Sequence, residues 1–206
     1  MRRVDALAAL VSELPADHLV VAGVGATSGG LWSLGPSPAH LYNMEFGYPS
    51  AVALGLALAR PERTVVSVEG EGSAVAGVAN WFTIARLRPP NLCVVVFDNG
   101  VYGTGPGTIP SPAGDGVRVD DLAAASGFDA DAIARPTTPD EVRALGKEVA
   151  STPGLRFAHV RVGRDDVLSK GRAAVGVTFT EAAIAFDLHL RGVYSTESGQ
   201  QNGGAR

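Results

Sequence analysis

Cysteine is almost absent from this chain: Cys93 is its only one, so no disulfide framework braces the fold. It lies in the apolar run 92–97, where it reads as a small buried hydrophobe rather than a nucleophile. Charge is sparse as well, at 18% of 206 residues, with acids and bases interspersed and a net charge of −4. Without a basic cluster the chain lacks the electrostatic footprint of a nucleic-acid or anionic-membrane partner. Long apolar runs are missing too: no stretch reaches the roughly 20 residues that span a bilayer. Met1-Arg2-Arg3 before an alanine-leucine run fails as a signal peptide, because Asp5 and Glu13 interrupt that run. A reducing, cytoplasmic setting is expected. Histidine is scarce, and His18, His40, His159 and His189 show no metal-ligand spacing and accompany no serine nucleophile motif. His159 reads as a strand residue and His189 as a helix-surface residue, while His40, just upstream of Phe46, is the best placed of the four for function.

What the chain does have is 46% hydrophobic residues and 26 glycines, a composition suited to close packing of helices on a sheet. Its length fits one α/β domain, expected over residues 1–194, with 195–206 as a disordered tail. Apolar residues at helical spacing place an amphipathic helix at 2–14, ended by Pro15. A strand at 18–22 runs into a loop over 23–30, a near miss for the dinucleotide fingerprint because its third glycine comes one residue late. A short strand at 40–44 comes next, then an alanine-leucine helix at 50–60 that is expected to be buried on most sides. Residues 103–116 read as a long binding loop or lid. The Gly-Asp-Gly at 114–116 inside it is a decoy, because no strand precedes it to aim Asp115 at the ligand edge. A helix at 119–126, a strand at 130–134, a capped helix from Thr138 to about 151, a strand at 157–162 and a helix at 178–190 complete the chain.

The chain is organised around residues 64–103. Strands at 64–68 and 92–97, joined by a helix at 73–87, make one crossover unit, which brings the carboxyl ends of both strands to one sheet edge. Two polar loops meet there, Gly70-Glu71-Gly72-Ser73 and Asp98-Asn99-Gly100. A carboxylate, an amide oxygen and a backbone carbonyl after Asn99 form a hard-oxygen set of the kind Mg²⁺ prefers, with substrate phosphates filling its octahedron. The glycines allow close approach of a bulky anion, and Ser73 with the first helical amides offers donors to it. A diphosphate held through a metal is the implied ligand.

Glycine-carboxylate-glycine-serine after a strand, with an asparagine 28 positions beyond the carboxylate, resembles the motif of thiamine diphosphate (ThDP) enzymes. The stretches VGATSGGLW, FGYPSAVALGLALARP, DNGVYG, VDDLAAASGF and GLRFAHVRVGR are similar to the cofactor-binding subunit of sulfopyruvate and phosphonopyruvate decarboxylases. The resemblance implies a three-layer α/β sandwich with a mainly parallel central sheet. It also implies Mg²⁺ (or Ca²⁺) held by Glu71, Asn99 and the carbonyl of Val101, with ThDP contacted by Gly25, Thr27, Ser28, Phe46, Gly47, Gly70, Gly72, Ser73 and Tyr102. Phe46 takes the place of the large apolar residue that bends the cofactor; it fits equally as a core phenylalanine at a strand-helix junction.

Two departures stand out: the family has aspartate where this chain has Glu71, and it often has an arginine-glutamate pair where this chain has Gly29-Gly30. The activating glutamate of such enzymes belongs to a separate pyrimidine-binding domain. The chain is therefore expected to be one subunit of a split 2-oxo acid decarboxylase, with a partner of similar size supplying that glutamate and no catalytic residue of its own. The alternatives are a carboligase subunit of the acyloin or acetolactate type, a non-catalytic homologue that has lost the metal, and, more distantly, a nicotinamide-binding protein.

Overall fold

The computed structural model describes residues 1–103, 109–164 and 175–193. Six strands form one sheet: β1 (Leu19–Gly23), β2 (His40–Met44), β3 (Val65–Gly70), β4 (Leu92–Asp98), β5 (Ile133–Ala134) and β6 (Arg156–Arg161). Their order is β2-β1-β3-β4-β6-β5, and every pairing is parallel. The central strands β3 and β4 are buried almost throughout and rich in valine, as suits strands covered on both faces. Gly70, the last residue of β3, pairs with Phe97, one residue before the end of β4, so the two strands end within one residue of each other.

Helices cover both faces. Val20, Ala22, Val66, Val68, Val95 and Phe97 point to the layer that includes α1 (Arg3–Val11), α2 (Ala26–Ser33) and α7 (Pro139–Ser151). Val21, Val65, Val94, Val96 and Phe157 point to the opposite layer, which includes α3 (Pro49–Ala59), α5 (Ala79–Leu87) and α6 (Val119–Ala125). The expected three-layer sandwich is therefore present, with its sheet wholly parallel among the described strands. Capping matches the sequence at α7, where the Thr138 hydroxyl accepts from the Glu141 N–H. A full capping box on Thr178 and Glu181 starts α8 (Phe179–Leu190).

Several expectations need correction. The 23–30 loop is short, because α2 begins at Ala26 directly after Gly25 turns the chain at φ 88°. The Gly29-Gly30 pair that reads as loop lets this helix lie close to α1, since a Cβ on Gly30 would stand 3.1 Å from Leu7. The single helix expected at 73–87 is two, α4 (Glu71–Ala76) and α5, broken at Gly77 and Val78. Helix α3 is buried on one face only, through Pro49, Ser50, Ala53, Leu54 and Ala57, while Leu58 on the other side is 53% exposed. Most of the strand expected at 130–134 is a 3₁₀ turn, with only β5 pairing. Residues 104–108 of the expected lid and the tail at 195–206 lie outside the described residues.

Candidate active site

Strand order reverses between β1 and β3: the chain moves from β1 to β2 on one side, then to β3 and β4 on the other. The crevice at the carboxyl ends of such a pair is the usual ligand position of an open α/β sheet. A pocket lies there, and Gly25, Phe46, Gly70, Glu71, Gly72, Ser73, Asn99, Val101 and Tyr102 line it together with Arg3. Nine of the twelve residues singled out in the sequence are thus brought to one place.

Glu71 is the first residue of α4 and is 2% exposed. Burial pushes its carboxyl above the usual range, with Asp98 adding to the shift and the Ser111 hydroxyl and Arg3 opposing it. Its Oε1 atom is buried with no hydrogen-bond partner among the described residues. Across the pocket Asn99 occupies a tight turn, with its Oδ1 3.3 Å from the Val101 N–H and Gly100 at φ 73°. Asp98 closes this turn by accepting from the Gly100 N–H at 2.9 Å.

Behind the turn stands a buried network. His159 Nε2 is 2.8 Å from Asp98 Oδ2, and its Nδ1 is 3.4 Å from Asp120 Oδ1. Burial opposes ionisation of both carboxyls, but His159 lowers Asp98, and hydrogen bonds from Arg135 and Arg118 hold Asp120 well below the usual range. His159 is therefore structural, as expected, and it fixes the turn that carries Asn99. The Gly-Asp-Gly at 114–116 braces the same turn, because a Cβ on Gly114 would fall 2.0 Å from the Gly100 carbonyl oxygen, while Asp115 is exposed.

Phe46 is 43% exposed and lines the pocket, which removes the core alternative. Its ring centroid is 6.3 Å from that of Tyr102, whose ring lies against Gly72 so closely that a Cβ there would be 2.4 Å from it. Gly47, at φ 87°, lies outside the pocket lining and fixes the backbone behind Phe46. Its N–H donates to the Ser73 hydroxyl at 3.0 Å, and its carbonyl accepts from the Asn80 amide at 3.2 Å.

Three expected cofactor donors have other partners. The Ser73 hydroxyl donates to Glu69 at 2.7 Å besides accepting from Gly47, which leaves its backbone as the part facing the pocket. Ser28 is fully buried outside the lining, where its hydroxyl donates to the Ala22 carbonyl and accepts from the Asn43 N–H. Thr27 accepts from Arg3 at 2.8 Å, so it reaches the pocket only through that guanidinium.

Sequence reasoning misses Arg3 and Glu69. Arg3 is in phase with Leu7 and Leu10, on the buried face of α1. Glu69 interrupts the apolar run of β3 and is wholly buried, which raises its carboxyl to about 7. The remaining histidines lie away from the pocket. His40 begins β2 at the opposite sheet edge, its Nε2 3.0 Å from His18 Nε2, and His189 is buried beside Arg63 rather than on the helix surface.

These residues fit a hard cation and a diphosphate. An unsatisfied carboxylate oxygen, an amide, glycine walls and a guanidinium share one crevice, and such a donor set suits Mg²⁺ or Ca²⁺ better than a soft metal. No helix among the described residues is long and apolar enough to cross a membrane.

Comparison with known proteins agrees with this geometry. Residues 35–160 match the family model described as thiamine pyrophosphate enzyme, C-terminal TPP binding domain. A phosphonopyruvate decarboxylase of Streptomyces hygroscopicus is 35% identical over 84% of this chain and 42% of its own length. The sulfopyruvate decarboxylase subunit beta of Methanothermobacter thermautotrophicus is 36% identical over 50% of this chain and 56% of its own. Among solved structures, the benzoylformate decarboxylase of Polynucleobacter necessarius superposes with a TM-score of 0.66 at 20% identity, covering 80% of this chain and 33% of that one. The chain spans about half the length of the decarboxylases it matches in sequence. With a family model over more than half its residues and the matching pocket in place, the chain belongs to the thiamine pyrophosphate enzymes, as a carrier of their C-terminal TPP-binding domain.

Proposed function

We propose that this chain binds ThDP with Mg²⁺ or Ca²⁺ and forms the diphosphate-binding half of a decarboxylase acting on a small 2-oxo acid. The observation that carries the reading is the buried, unsatisfied Oε1 of Glu71 in one pocket with Asn99. Glu71 and Asn99, with the backbone at Val101, would hold the ion. Glu71, one methylene longer than the family's aspartate, stands on the first residue of α4 with Ser111 beside it.

When bound, the cofactor supplies the electron sink that decarboxylation of a 2-oxo acid requires. The chain's own part is binding and shape. Gly70 keeps the cradle open, Gly72 makes room for the Tyr102 ring, the Ser73 hydroxyl pins Gly47, and Gly47 presents Phe46 to the pocket as the apolar surface that would bend the cofactor. Tyr102 flanks it from the loop after Asn99.

The catalytic glutamate is assigned to a separate pyrimidine-binding subunit. Glu71 is the only carboxylate among the described residues lining the pocket, and it is engaged at the diphosphate end. The name subunit beta carried by similar sulfopyruvate decarboxylases supports a second chain.

Native mass spectrometry of the protein from its own source tests the reading. A complex with a second chain, plus mass for ThDP and a divalent ion, is the expected result. A homo-oligomer that takes up no cofactor after ThDP and Mg²⁺ are added overturns it in favour of a non-catalytic homologue. Assay of the complex with 2-oxo acids then separates a decarboxylase, which releases an aldehyde, from a carboligase, which releases a longer hydroxyketone.

A further inference from the structure

The motif supplies a cation with oxygen ligands, but a diphosphate also needs positive charge from the protein. A diphosphate ester carries more negative charge than a divalent ion can neutralise once a carboxylate is among its ligands. Among the described residues lining the pocket, Arg3 is the only cationic side chain. It comes from the first turn of α1, far from the motif in sequence, and is 6% exposed.

Its position is fixed from several sides. Nη1 donates to the Thr27 hydroxyl at 2.8 Å, and the guanidinium carbon stands 5.7 Å from the centroid of the Phe97 ring. Leu7 and Leu10, on the same helix face, are wholly buried and anchor α1 against the sheet. The same Nη1 would be 3.8 Å from a Cβ on Gly70, so the guanidinium borders the space that this glycine leaves open. A planar fork of donors held at the edge of a diphosphate cradle is the arrangement that matches phosphate oxygens.

We propose that Arg3 is a binding residue for the diphosphate of the cofactor, carried to the motif by the N-terminal helix and oriented by Thr27. The inference rests on the ThDP reading above. It gives α1 a role in ligand binding that neither strand-end loop of the motif supplies, and it gives Thr27 an indirect one, as the hydroxyl that aims the guanidinium.

The test is calorimetric titration of the intact protein, as isolated and then stripped of cofactor, with ThDP and with thiamine at saturating Mg²⁺. Wild type, Arg3→Gln and Arg3→Lys are compared. The expected result is a loss of tenfold or more in ThDP affinity for Arg3→Gln with thiamine affinity unchanged, and a smaller loss for Arg3→Lys, which keeps the charge but not the fork. If Arg3→Gln folds poorly, Arg3→Lys carries the test through a drop of at least threefold in the ratio of ThDP to thiamine affinity. A wild type that prefers ThDP while both variants keep the same preference overturns the role of Arg3 and leaves the ThDP reading intact. A wild type that binds neither compound overturns both.

Discussion

The carbonyl oxygen of Gly47 lies where a side chain on Gly77 would begin, 2.2 Å from the position of its Cβ. The break between α4 and α5 is therefore also the floor beneath the Phe46 turn. Gly77→Ala must push two backbones apart, and overpacking of this kind costs about 1–3 kcal/mol. The expected outcome is a lower urea midpoint together with weakened ThDP binding, because displacing Gly47 moves Phe46. An alanine variant with unchanged midpoint and affinity would show that the contact is not held in solution.

Glu71→Gln removes a buried carboxylate that burial already disfavours in its charged form. Stability is expected to hold or rise, while Mg²⁺-dependent ThDP affinity falls by at least tenfold, the usual opposition between a site's strain and its function. Glu71→Asp is expected to bind no better than wild type, because the site is built around the longer side chain. Thermal shift with and without Mg²⁺ and ThDP reads both variants. A gain of binding on Glu71→Asp, from nothing in the wild type, would mark a lost metal site instead.

The fold was legible wherever one period dominated. The β-branched runs of β3 and β4 and the capping residue of α7 gave their elements within one or two residues. The glycines misled, because a glycine that ends a helix and one that allows two helices to approach look alike in sequence. Gly29 and Gly30 sit inside α2, whereas Gly77 breaks the crossover helix. Within the site, the motif and Phe46 were legible because chemistry restricts the residue types that can serve there. Arg3 and Glu69 were not, since a charge on an apolar helix face or inside a strand carries meaning only once its neighbours across the fold are known.

His159 bridges two buried carboxylates, and no other described residue bonds to both. His159→Ala leaves each of them short of a partner in a site that burial makes unforgiving. The expected loss is about 3 kcal/mol of unfolding free energy, with weaker metal binding as Asp98 releases the Asn99 turn. Chemical denaturation followed by Mg²⁺ titration checks both parts, and loss of stability without loss of metal affinity would confine His159 to the scaffold.

His40 sets an acid limit on stability. Burial, with the neighbouring His18 adding to it, lowers its folded-state value from 6.5 to about 3. The unfolded chain therefore binds the proton first, so stability is full above about pH 6.5 and declines as the pH falls toward 3. At pH 5 this one group accounts for about 2 kcal/mol. His18, lowered by burial as well, reinforces the trend. Unfolding free energies of wild type and His40→Gln at pH 7 and pH 5 test the sign: the variant is expected to show a shallower loss. Equal losses in the two proteins would assign the acid sensitivity elsewhere.

The pairing of Gly70 with Phe97 makes the meeting of Glu71 and Asn99, the proposed ligand pair, a consequence of strand alignment. Glu71 and Asn99 are separated by a whole crossover, so nothing local brings them together, and a slip of one residue between β3 and β4 would carry them about 3.3 Å out of step. During folding the pair can exist only after the long-range alignment of these strands is complete. Under the proposed reading, an ion held by both residues would select the correctly aligned sheet over its slipped competitors, and loading of the cofactor would double as a check on folding.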